Sequence, residues 1–339
     1  MSARSRKSGI GSSPDLGDLD SEDVREKLAE SKGSLELILH SHADRESALQ
    51  QSLASLARQI EVASGEALRV RPGDGADLTA LPCLTIAHRG LGKIHYQALP
   101  DGPELPPFVE SLLGPALGSS DATEGWVERL SGLKRPVELL VFVGASCPHC
   151  PGAVRSASRI ALASALVTVS IADVEVHAKL AERFNVRAVP LTILDGELAV
   201  TGVVHPADLV DKILSRGDES HGRSLLLSLV EQGRFDEAAG QIRTGPGAAH
   251  FVALWDGSTT SLRIGLMMAV EEALEAGRAA LDGLVTGLLP ILASEDAALR
   301  GDTADLLGRI GHRAAIEALR RLLADPNPHV AEIAAEALE

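Results

Sequence analysis

The chain has 339 residues, 45% of them hydrophobic and only 2% aromatic, and a formal net charge of −15. That length calls for two or three domains whose cores are built from Leu, Val, Ile and Ala. The charge argues against a nucleic-acid surface, and with no apolar run of roughly 18 residues and no signal-like N-terminus neither membrane passage nor export is expected.

Residues 1–20, rich in Ser, Gly and Asp, read as a disordered tail, and "SEDVREKLAE" as a short helix. "SLELILH" (34–40) has strand length. "RESALQQSLASLARQIEVA" predicts a helix with Leu49, Leu53, Leu56 and Ile60 on one face. "EALRVR" predicts a second strand, with Gly73 and Gly75 in the turn after it. "LPCLTIAH" and "GKIHYQAL" predict a third and a fourth, and "PPFVESLLG" a closing helix. The order then repeats. "TEGWVERLSGLKR" reads as helix, "PVELLVFVG" as a buried strand, "CPGAVRSASRIALAS" as helix, "LVTVSIADV" as strand and "HAKLAERFNV" as helix. "VPLTILDGELAVTGV" predicts a hairpin turning at Asp195-Gly196, and Pro206 opens a last helix.

The two stretches align at an offset of 102, from Leu35 to Val137, and each carries X-Pro before an apolar strand, at Leu81-Pro82 and Val189-Pro190. The expected architecture is α/β, with units at 21–118 and 119–218 built on a mixed sheet with helices packed on it. From 219 to 339 only helical patterns remain. Leu299 recurs as Val330, a period of 31, and Leu262 precedes Leu299 by 37, which suggests a short stack of helix pairs. Met267 and Met268 are expected in its core.

The chemistry concentrates in "GASCPHCPGAV" (144–154). Cys147 and Cys150 could be half of a metal site, a structural staple or an electron-trading pair. A cytoplasmic setting, expected from only three cysteines, keeps thiols reduced and disfavours the staple. Zinc would need two more ligands nearby, and there is no second C-x-x-C. The redox reading places Cys147 at the end of a strand and in the first turn of a helix, where free N–H groups favour a thiolate, with His149 adding positive charge or a donor. Cys147 is then the attacking sulfur and Cys150 the resolving one. Cys83 is expected to be a buried thiol. His40, His42, His88 and His95 crowd the first unit and leave open either a metal site or ordinary histidines.

A strand, C-x-x-C at a helix start and Val-Pro before a later strand resemble the thioredoxin-fold pattern. "FVGASCPHCPGAV" resembles the glutaredoxin-like protein disulfide oxidoreductases. The two-unit layout also resembles the N-terminal domain of the alkyl hydroperoxide reductase flavoprotein subunit, and the helical remainder resembles HEAT repeats. The resemblance implies a cis Pro190 against the Cys pair, a Val189 backbone free to bind substrate peptide, and a substrate-lining Pro148. It implies protein disulfide substrates, no bound cofactor, no metal, and electrons from a partner reductase. Two alternatives follow: a carrier between a flavoprotein disulfide reductase and a peroxiredoxin, and a redox-responsive adaptor. The chain departs from the pattern in three places. The first unit has "RESA" (45–48) where the pair should lie, Val141 stands where thioredoxins hold a buried aspartate, and Ala145-Ser146 replaces the usual aromatic. Oligomeric state is left open.

Overall fold

The computed structural model describes residues 35–42, 47–64, 68–75, 78–114 and 125–339, with Glu26 and Leu28 before them. The expected tail, and "SEDVREKLAE" apart from Glu26 and Leu28, lie outside the described residues. Two compact units divide between Leu214 and Ser215.

The first unit holds one eight-stranded mixed sheet. Its strands are β1 (Leu35–His40), β2 (Val70–Gly73), β3 (Cys83–His88), β4 (Lys93–Gln97), β5 (Val137–Val143), β6 (Val167–Asp173), β7 (Leu191–Leu194) and β8 (Leu198–Thr201), in the order β2-β1-β3-β4-β6-β5-β7-β8. The first four strands and the last four have the same local order. Within each set the first and second strands pair in parallel and the rest antiparallel, so the duplication in sequence is a duplication in topology. Parallel pairing of β4 with β6, with Tyr96 opposite Ile171, joins the two sets into one sheet.

Helices α1 (Ala48–Ala63), α2 (Leu105–Leu113), α3 (Trp126–Leu130), α4 (Cys150–Ala161) and α6 (Pro206–Leu214) all contribute to one core with the sheet. Leu49, Leu53, Leu56 and Ile60 of α1 are buried, as their spacing predicts. Removing each such side chain from water contributes about 1.5–3 kcal/mol. Tyr96 of β4 meets Phe108 of α2 edge-on at 4.9 Å between ring centroids. The opposite face of the second strand set is covered by α5 (Ala178–Arg183), over Phe142, Leu191 and Ile193.

Two local expectations shift and a third holds. β2 starts at Val70 and includes Gly73, where a Cβ would fall within 2.2 Å of the His40 ring, an approach that only glycine allows. The helix after the junction shrinks to Trp126–Leu130. The hairpin turn does sit at Asp195 and Gly196, with φ of 50° and 75°.

The second unit is all helical: α7 (Glu219–Glu231), α8 (Phe235–Ile242), α9 (Gly245–Asp256), α10 (Thr260–Glu275), α11 (Asp282–Leu288), α12 (Ala297–Ile310), α13 (Ile316–Leu322) and α14 (Pro328–Glu336). Leu299 and Val330 are both buried in the first turns of α12 and α14, so the period of 31 is structural. Met267 packs against this core, but Met268 is 44% exposed, since the next position on α10 turns outward. Among the described residues no helix is long and apolar enough to cross a membrane.

Candidate active site

β5 delivers the chain to Gly144, and the Cys147 amide closes a turn by donating to the Gly144 carbonyl at 3.0 Å. Cys147 therefore lies in this turn, ahead of the helix rather than in its first turn, and α4 begins at Cys150. Pro151 occupies the first turn, where its missing N–H is no loss. Cys147 and Cys150 are disulfide-bonded, with Cα atoms 5.5 Å apart. Cys150 is fully buried and Cys147 only partly. The Cys150 N–H donates to Cys147 Sγ at 3.0 Å, so the sulfur takes one of the free donors at the helix end. Pro148 and His149 are exposed, and His149 makes no capping hydrogen bond through its side chain.

The Val189–Pro190 bond is cis and Pro190 is buried. Phe142 pairs with Leu191, and two further steps of that antiparallel register set Pro190 opposite Val143 and then Val189 opposite Gly144. A Cβ on Gly144 would come within 3.3 Å of the Val189 side chain. Among the described residues the Val189 N–H and C=O have no hydrogen-bond partner.

The first strand set carries the same frame without the chemistry. Leu81–Pro82 is also cis, but the carbonyl of Leu81 is held by His42 Nε2 at 3.0 Å, and His42 is the counterpart of Gly144 at the offset of 102. Ser47 stands where the second set has His149, and its hydroxyl caps α1 by accepting from the Gln50 amide at 3.1 Å.

A feature without a signal in the sequence lies beside Gly144. A cavity of about 220 Å³ is lined by Val143, Gly144 and Ala145, by Leu49, and by Asp101, Glu104, Asp173 and Glu175. The turn Gly102–Glu104 packs against α4. Both Glu104 carboxylate oxygens are buried and have no hydrogen-bond partner among the described residues, and burial pushes the carboxyl up to about 7 against the pull of Arg155. Arg155 spends its guanidinium on Glu110, at 2.6 and 2.8 Å. Nothing in "PDGPELPP" marks Glu104, since its surroundings come from α4 and β5.

The remaining sequence candidates do not join the Cys pair. Cys83 is buried against Thr85, and burial pushes its thiol up to about 12. His95 bonds Thr85 at 2.8 Å and His88 bonds the Ser111 carbonyl at 2.9 Å, while burial lowers the pKa of both, His95 to about 4. Among the described residues no group of three or more His, Cys, Asp or Glu is placed to hold a metal ion.

With this geometry in hand, residues 137–215 match the sequence profile of the thioredoxin domain. Residues 285–339 match that of HEAT repeats. The chain thus carries a thioredoxin domain that holds the Cys147–Cys150 disulfide, followed by HEAT repeats. Among solved structures it is similar to the alkylhydroperoxide reductase AhpF of Enterococcus faecalis, at 18% identity over 56% of this chain and 97% of that one, with a TM-score of 0.46. It is also similar to a protein disulfide oxidoreductase from Aeropyrum pernix, at 22% identity over 58% and 94% of the two chains, with a TM-score of 0.46. No curated protein matches the sequence.

Proposed function

We propose that the chain is a thiol–disulfide oxidoreductase that exchanges disulfides with protein substrates. The observation that carries this reading is the asymmetry of the pair: Cys147 is partly exposed and accepts the Cys150 amide, whereas the Cys150 side chain is fully buried. In the reduced form the Cys147 thiolate attacks a substrate disulfide. One substrate sulfur leaves as thiolate, and a mixed disulfide forms. Cys150 gives up its proton and attacks Cys147, which releases the second substrate thiol and leaves the Cys147–Cys150 disulfide. Two electrons pass to the substrate, and a partner reductase returns them to the pair. The unpartnered backbone of Val189 next to cis-Pro190 supports peptide binding alongside the sulfurs, with Pro148 on the exposed rim. The HEAT repeats serve to dock the substrate or the reductase, in the cytoplasm. Insulin reduction by the wild type and by Cys147→Ser tests the reading: turnover by the wild type alone is expected, and equal rates overturn it.

A further inference from the structure

The cavity beside Gly144 has no counterpart in the redox chemistry just described. Its volume of about 220 Å³ falls below the roughly 300–1,000 Å³ of pockets that take cofactor-sized ligands, so it suits a single side chain. Leu49, Leu99 and Val176 give it apolar walls, while Asp101, Glu104, Asp173 and Glu175 supply carboxylates, and among the described residues no Lys, Arg or His lines it. Asp173 is committed to the amides of Glu175 and Val176, and Asp101 to that of Gly102. Glu104 is different: both its oxygens are buried and among the described residues have no hydrogen-bond partner, and the nearby Arg155 is engaged by Glu110. A buried carboxylate without a partner is costly, and a cation entering the cavity removes that cost. An apolar wall below a charged group fits the build of lysine and arginine, whose methylene stems bury while the head finds charge.

We infer that this cavity receives a Lys or Arg side chain of the substrate protein, close in sequence to the cysteine attacked by Cys147, so that Glu104 and Glu175 select disulfides flanked by a basic residue. The inference rests on the oxidoreductase reading and adds a substrate preference to it. The cavity shares Val143, Gly144 and Ala145 with the segment that carries Cys147, so a peptide held at the sulfur has its neighbouring side chains within reach of it.

The test uses the full chain, reduced and freed of reductant, with fluorogenic peptide disulfides that carry either Lys or the uncharged norleucine at each position within four residues of the cysteine. At one position the Lys peptide reacts about tenfold faster, and the preference shrinks as salt rises from about 50 to 500 mM because screening weakens the ion pair. Glu104→Gln and Glu175→Gln each reduce the ratio to about twofold or less. Turnover of both peptides at equal rates at every position overturns the inference alone, as does a preference that survives both substitutions. No turnover of either peptide overturns the oxidoreductase reading and the inference with it.

Discussion

The backbone amide of Cys150 points at the sulfur of Cys147 from 3.0 Å, at the open end of a twelve-residue helix. Donation from a helix end stabilises negative charge on the acceptor, so the reduced Cys147 thiol is expected to ionise more readily than a free cysteine, whose value is roughly 8.5. The donor is main chain and survives substitution of the side chain. Iodoacetamide labelling of Cys150→Ser across pH therefore gives a Cys147 midpoint below that value, and the same variant accumulates a mixed disulfide with its target. A midpoint at or above that of free cysteine removes the basis for naming Cys147 the attacker.

Glu104 is expected to cost stability. Its carboxyl titrates near its ordinary 4.5 when unfolded and near 7 when folded, chiefly through burial. The favourable protonated state is fully present below 4.5, and the stability it contributes is lost as pH rises through 7. Glutamine cannot ionise and escapes that loss. Glu104→Gln should match the wild type near pH 4 and exceed it at pH 8, by at most about 3 kcal/mol. Urea unfolding of the full chain at the two pH values measures the difference. A variant that is less stable at pH 8 than the wild type contradicts the burial argument.

What the sequence made legible was local. The spacing of Leu49, Leu53, Leu56 and Ile60 specifies one buried helix face, and Asp195-Gly196 specifies a turn with two positive φ angles, because each signal is complete within a few residues. The Cys pair and the prolines at 82 and 190 were likewise visible. What stayed hidden depends on residues far apart in the chain. The His40 ring over Gly73 and the joining of the two strand sets by β4 against β6 are contacts of that kind. The burial of the Glu104 oxygens depends on α4, more than forty residues on. Met268 shows the converse limit, since a helical period fits both a core position and its outward neighbour.

The helical unit has a polar contact in its core that can be tested separately. Trp255 is fully buried, and its indole N–H donates to Thr303 Oγ1 at 2.9 Å, while the same hydroxyl donates to the Leu299 carbonyl at 2.6 Å. Thr303→Val keeps the shape and strands the indole N–H, a loss of about 1–3 kcal/mol. Thr303→Ser keeps the hydroxyl and most of the stability. Calorimetry of the full chain should show the Val variant lowering the transition of this unit and leaving the disulfide exchange rate intact. Equal stability of the Val and Ser variants excludes the hydrogen bond as a contributor.

Cys83 completes the thiol inventory and should stay silent in the folded protein. Its side chain is fully buried, and burial, opposed only by a hydrogen bond to Thr85, pushes the thiol up to about 12. Almost no thiolate exists at pH 8, and reagents lack access to the sulfur. Ellman's reagent added to the reduced native chain should therefore release two equivalents promptly, one as it forms a mixed disulfide with Cys147 and one as Cys150 displaces it, and report Cys83 only after denaturant is added. The raised pKa also has a linkage consequence. The unfolded thiol ionises near 9, so the protonated form contributes stability below that pH, and the contribution fades as pH climbs from 9 toward 12. Cys83→Ala removes this alkaline loss, although the smaller side chain costs some packing at neutral pH. Rapid labelling of Cys83 in the native state at pH 8 shows the burial to be wrong and reopens a redox role for this residue.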